Sequence, residues 1–129
     1  MSRLRVSSGS TYERDIGFSR AVRVGDRVWV SATAAISPGG EVDPDPARQA
    51  ERCLEIIAAA LAEAGASLAD VVRTRVFLVD AADGPAVGEV HGRAFGDVRP
   101  ASGFIVVSGF LDPRWKVEIE ADAVVASER

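Results

Sequence analysis

The chain has 129 residues, 47% of them hydrophobic and 26% charged, which suits one soluble domain with enough apolar surface for a core. A formal charge of −4 argues against a nucleic-acid surface, which is normally basic. No apolar run approaches the ~20 residues needed to span a bilayer, the opening lacks an apolar signal core, and one Cys with one His makes neither an internal disulfide nor a zinc-type cluster; a cytoplasmic protein without membrane, metal or nucleic-acid partners is expected.

Residues 1–15 are polar and read as an N-terminal extension, with Leu4 to Val6 as a short edge strand. Phe18 to Val24 and Arg27 to Thr33 are β-rich and joined by Gly25-Asp26, the residue order of a type II′ hairpin. The second strand runs into Ser31-Ala32-Thr33-Ala34-Ala35, small side chains that permit close approach of a ligand or another backbone. Asp45-Pro46 is an N-cap followed by proline at the first helical position. The helix it opens extends to about Ala64, where Gly65 stops it, and buries Ala50, Leu54, Ile57, Leu61 and Ala64.

A strand follows over Val71 to Val79, with Val72, Thr74, Val76 and Leu78 on one face and Arg73, Arg75, Phe77 and Val79 on the other. A second helix spans Pro85 to Phe95, burying Val87, Val90, His91 and Ala94. Gly88 and Gly92 weaken it by roughly 1 kcal/mol each relative to Ala, so close packing is expected to compensate. Two extended runs then flank a turn at Asp112-Pro113. In the last, Val117, Ile119, Ala121 and Ala123 alternate with Glu118, Glu120 and Asp122. Three carboxylates on one face need water or cations, and Arg73 and Arg75 share their face if the two strands share a sheet.

The order β-β-α-β-α-β-β gives an α+β two-layer sandwich, a mixed sheet with two helices on one face. The other face, with Trp29, Phe77 and Val79, is covered most economically by copies of the same chain, so a homo-oligomer is expected.

Several phrases resemble the Rid family, also called YjgF or endoribonuclease L-PSP-like proteins. They are Gly17-Phe-Ser-Arg-Ala-Val, Val28-Trp-Val-Ser, the helix ending Ala-Glu-Ala-Gly65, Asp70-Val-Val-Arg-Thr-Arg-Val-Phe-Leu-Val-Asp80, Arg99-Pro-Ala and Val117-Glu-Ile-Glu-Ala. The resemblance covers residues 17 to 125, in order and without large insertions. It implies a chorismate-mutase-like fold and a homotrimer with small-molecule pockets in the clefts between subunits. Active relatives hydrolyse enamines or imines of amino acids to 2-oxo acids and ammonia without a cofactor.

The resemblance also implies roles for individual residues. Glu118 stands at the position of the water-positioning acid. The pocket tyrosine corresponds to Phe18, the strand glycine to Ala32 and the pocket cysteine to Phe104. The arginine that clamps the substrate carboxylate should follow the loop proline by two residues, but Pro100 is followed by Ala101 and Ser102. A serine cannot replace that charge, so the usual 2-imino acid deaminase activity is expected to be weak or absent.

Arg75 is a candidate for the missing cation, or a salt-bridge partner of Glu118 or Glu120. Glu120 and Asp122 read as ion-pair partners across subunits. Phe77 lies on the same face and is a candidate substrate contact, and Ser102 is a pocket-lining hydroxyl. His91 reads as a packed helix residue and Cys53 as a buried one, neither with a partner that would make it a base or a nucleophile. Trp29 and Trp115 are assigned to strands, in the core or an interface. Two functions follow: a deaminase-type hydrolase of a small imine or enamine, or a non-catalytic trimeric module that binds a metabolite.

Overall fold

The computed structural model describes residues 2–126. Six strands, β1 (Arg3–Val6), β2 (Ala21–Val24), β3 (Arg27–Ala34), β4 (Val71–Leu78), β5 (Ala101–Val106) and β6 (Val117–Val124), form one sheet in the order β1-β2-β3-β6-β4-β5. Only β4 and β5 are parallel. Helices α1 (Pro46–Glu63) and α2 (Gly84–Phe95) lie together on one face. The mixed sheet with two helices on one side is the α+β layering read from the alternation. Among the described residues no helix is long and apolar enough to cross a membrane.

Burial follows the period of two. Val117, Ile119, Ala121 and Ala123 are buried, and they meet Ile57, Leu61 and Cys53 of α1 and Val87 of α2 in one core. Each large apolar side chain fully removed from water there contributes about 1.5–3 kcal/mol. Asp45 caps α1, accepting from Arg48 N at 3.3 Å. Gly65, at φ +78°, ends it in a left-handed turn in which Ala66 N reaches Leu61 O at 2.8 Å. Arg23 donates through Nη1 to Ala64 O at 2.7 Å, a cation on the negative end of the helix. At the β2–β3 turn only Gly25 has positive φ (62°), so the backbone fits the II′ geometry.

Four expectations are corrected. The strand begins at Ala21, not Phe18, because Glu13–Gly17 forms a π-helical turn and Arg20 sits at a bend. Val72 is exposed while Val71 is buried, because a bulge between Val71 and Arg73 shifts the alternation by one. Trp115 is not in a strand; it lies buried in the turn before β6. Gly92 is not closely packed, since a Cβ there would meet nothing within 4 Å.

Candidate functional site

Rows of side chains run across the open face of the sheet. At one level Ala34, Glu118, Phe77 and Ile105 pair in register across β3, β6, β4 and β5. One pleat further along, Glu120 pairs with Arg75, and beyond it Trp29, Asp122 and Arg73 align. Arg75 Nη1 lies 3.0 Å from Glu120 Oε1 and 3.7 Å from Asp122 Oδ2. These ion pairs form within one chain and give Arg75 the salt bridge to Glu120 that the shared strand face allows. They also occupy Arg75, which is not among the side chains lining the cavity described next.

An open cavity of about 1390 Å³ lies where β3 and β6 meet the N-terminal segment. Phe18, Ala32 and Glu118, three of the residues singled out in the sequence, line it together. A bulge between Val30 and Thr33 lets Ala32 and Ala34 both face the cavity while Thr33 turns into the core. Burial raises the pKa of Glu118 above the ordinary carboxylate value; the positive charge of Arg20 works against this and Glu120 adds to it. Glu118 is therefore a carboxyl group that holds a proton more readily than an exposed one.

Arg20 was not singled out by the sequence reading. It is 9% exposed and lines the cavity with Glu118. Its Nη1 donates to Thr33 Oγ1 at 2.9 Å and to Ala32 O at 3.3 Å, and its guanidinium carbon stands 5.6 Å from the centre of the Phe18 ring. Burial lowers its pKa and the charges of Glu13 and Glu118 raise it; an arginine stays cationic throughout. Glu13, also buried, accepts hydrogen bonds from the backbone N and hydroxyl of Ser8. Burial pushes its pKa up, but these bonds and the charge of Arg20 outweigh it, and the net shift is downward. The stretch Phe18 to Val24 holds two cations, Arg20 and Arg23, and nothing in residue type tells the cavity-lining one from the one that meets the end of α1.

Gln49 secures the far wall. It is fully buried on α1 and donates to Asp43 O at 2.8 Å and Arg114 O at 3.0 Å, while its Oε1 accepts from Lys116 N at 2.8 Å. One side chain thus fixes the turn that carries the cavity-lining Trp115 into β6 and Glu118. Cys53 beneath is buried; its Sγ contacts Thr33 O at 3.1 Å. Loss of solvent, with the nearby charge of Glu118, pushes its thiol up to about 12. Such a thiol disfavours the thiolate that a nucleophile needs.

Ser102 and Phe104 lie elsewhere. Parallel pairing sets Ser102 beside Thr74 and Phe104 beside Val76, on the helix side of β5. Thr74 Oγ1 donates to Ser102 Oγ at 2.7 Å and lies 2.8 Å from His91 Nε2. The His91 ring stands edge-on to Phe104 at 5.7 Å between centroids, and burial lowers its pKa. Within one chain neither Ser102 nor Phe104 lines the cavity of Glu118. Phe77 is the in-register neighbour of Glu118 but is not among the lining residues either.

The chain is similar to known proteins over nearly its whole length. The crystal structure of Rv2704 from Mycobacterium tuberculosis, described as a member of the YjgF/YER057c/UK114 family, matches with a TM-score of 0.90 at 46% identity, covering 96% of this chain and 100% of that one. E. coli TdcF with bound serine matches with a TM-score of 0.82 at 27% identity, over 95% of this chain and 94% of that one. The 3-aminoacrylate deaminase RutC of Acinetobacter baylyi is 35% identical over 107 residues, 81% of this chain and 84% of its own length. A family model described as Endoribonuclease L-PSP matches residues 12–125. Because that span takes in β2 to β6, both helices and the cavity wall from Phe18 to Glu118, the chain belongs to the endoribonuclease L-PSP family, known also as YjgF or Rid.

Proposed function

We propose that this protein is a cofactor-independent hydrolase of a small imine or enamine, acting at Glu118. The observation that carries the reading is a carboxyl group with a raised pKa on the wall of a cavity large enough for a small metabolite. Hydrolysis of an imine adds water to the C=N carbon and releases ammonia, leaving a carbonyl. Glu118 suits both proton movements: as carboxylate it takes a proton from the attacking water, and as acid it returns one to the departing nitrogen. The name of the relative RutC, a 3-aminoacrylate deaminase, supports this class of chemistry.

The same reading includes a chorismate-mutase-like homotrimer. Trp29, 44% exposed, and Ile105 leave apolar surface on the open face of the sheet, which a second copy would cover. The Ser102 and Phe104 edge of one copy would then close the Glu118 cavity of the next, and the ligand would sit in the cleft between subunits. Sedimentation should give about three times the 13.6 kDa of the chain.

One observation favours a second reading, a non-catalytic trimer that binds a metabolite. The position that would carry the carboxylate clamp holds Ser102, whose hydroxyl is engaged by Thr74. The bound serine of TdcF supports a small amino acid as the kind of ligand. A steady-state assay with 2-iminopropanoate generated in situ separates the readings. Expected are slow turnover by the natural protein, loss in Glu118→Ala and a gain in Ser102→Arg. Full activity that survives Glu118→Ala would overturn the role given to Glu118. No turnover in either the natural protein or Ser102→Arg would favour the binding module.

A further inference from the structure

The cavity is not without a cation. We infer that Arg20 is its anion-binding residue, receiving the carboxylate of a small imine, enamine or amino acid while Glu118 meets the nitrogen-bearing end; this rests on the reading of the Glu118 cavity as a ligand site.

Three observations carry it. Among the described residues Arg20 makes no ion pair within 4 Å, although Glu13 and Glu118 are near enough for their charges to act on it. Of its guanidinium nitrogens only Nη1 is hydrogen-bonded, and Nε is buried with no acceptor. A buried cation with unmet donors is costly until an anion supplies acceptors. Second, the side chain is fixed in place. Its bonds to Ala32 O and Thr33 Oγ1 anchor it to the β3 bulge, and the Phe18 ring stands beside it. A fork already held in one position gives up little freedom when it binds a carboxylate. Third, Glu13, whose charge acts on Arg20, accepts its hydrogen bonds from Ser8 and makes no ion pair with the guanidinium among the described residues.

The placement has a consequence for substrate choice. An arginine at position 102 would reach a Glu118 cavity only from the β5 edge of another copy, whereas Arg20 enters it from the bend before β2 of the same chain. A carboxylate held there is oriented differently toward Glu118. That accounts for an intact acid and an absent clamp in one chain: the anion contact has moved and the preferred substrate has moved with it.

Pyruvate and its neutral amide, pyruvamide, are the probes. Calorimetric titration of the full-length protein should show pyruvate binding more tightly than pyruvamide. Arg20→Gln, which keeps a donor for Thr33, should weaken pyruvate at least tenfold and leave pyruvamide unchanged. Arg20→Lys should recover part of the loss. Equal weakening of both probes would mean that Arg20 only braces the β3 bulge, and unchanged pyruvate affinity in Arg20→Gln, or no pyruvate binding by the natural protein, would also overturn the inference. Turnover is scored separately. Hydrolysis of an uncharged imine without pyruvate binding would leave the hydrolase reading standing and remove Arg20. Pyruvate binding through Arg20 without any turnover would do the reverse.

Discussion

Two polar regions of this molecule are built on opposite principles. At the junction of β3 and β6, Arg20 and Glu118 share a cavity without touching, and each retains unmet electrostatic need: a cation with an orphaned Nε, and a carboxyl whose charge is disfavoured by burial. At the β5 edge, His91, Thr74 and Ser102 form a closed chain of neutral hydrogen bonds at 2.8 and 2.7 Å. The second region is satisfied and the first is not. Unsatisfied buried groups cost stability, and a fold retains them where a ligand completes them. The comparison supports the proposal that the chemistry lies at Glu118, which the family resemblance also implies, rather than at position 102, where the resemblance implies an arginine and the chain has Ser102.

The largest expected effect comes from removing the acid. Glu118→Gln should lower hydrolysis by about 10²–10⁴-fold, the usual range for a positioned general acid or base. The same substitution should make the protein more stable at neutral pH. The folded pKa of Glu118 lies above its ordinary 4.5, so the fold favours the protonated form. That contribution is complete below pH 4.5 and is lost as pH rises through the folded pKa. The stability difference between Glu118→Gln and the natural protein should therefore grow with pH across this window. Thermal unfolding at a series of pH values reads it, and a flat difference would mean that Glu118 is not strained by burial.

Next in size is Gln49→Ala, expected to cost about 2–4 kcal/mol from the lost volume and from Lys116 N and two carbonyls left without their partner. Urea denaturation measures it. The variant also tests how the cavity is held: Trp115 fluorescence should change with it, since Gln49 fixes the turn on which Trp115 lies. A quiet Trp115 would show that the turn keeps its shape without the Gln49 bonds.

Thr74→Val breaks the other region. It keeps the shape of the side chain but leaves His91 Nε2 and Ser102 Oγ without the hydroxyl that joins them, at a cost of about 1–3 kcal/mol. His91 adds a pH signature. Its folded pKa is depressed by burial, so the stability it contributes is present above pH 6.5 and is lost as pH falls through the folded value. Histidine titration by NMR should show that low pKa in the natural protein and a shift in Thr74→Val.

The alternation along β4 and β6 carried most of the fold into view. A strict period of two fixed the buried face, and Arg75 and Glu120 met in register as their shared face required. The helix limits were equally plain because Asp45-Pro46 and Gly65 have few other uses. What the pattern hid has physical causes. A bulge inverts alternation without any marker in residue type, so the exposure of Val72 was invisible. Gln49 sits at a buried helical position where a polar residue is normally excluded, and its partners lie 6, 65 and 67 residues away in sequence. Arg20 was hidden by its surroundings: it lies in a run read as strand, whereas the strand starts at Ala21 and Arg20 sits buried in the bend before it. Of the candidate ligand contacts, Phe18, Ala32 and Glu118 converge in one chain. Ser102 and Phe104 can join them only from another copy, a relation that spacing in a single sequence does not encode.

The smallest prediction bears on that last relation. Gly92 lies in the interior of α2, one residue after His91, and a Cβ there would meet nothing within 4 Å. Gly92→Ala should then stabilise the isolated chain by about 0.5–1 kcal/mol, the ordinary difference in helix propensity. Gly88 differs only in that its Cβ would rest 3.9 Å from the Phe104 ring, an ordinary contact, so Gly88→Ala should gain a similar amount. If Gly88→Ala stabilises and Gly92→Ala destabilises in urea titrations, the space beside Gly92 is filled in the assembled protein. A second copy would then lie against α2 near the β5 edge. A gain from both would leave that flank of α2 open to water in the assembly, and the β5 edge would have to be reached from the sheet side, where Ile105 and Trp29 already present apolar surface.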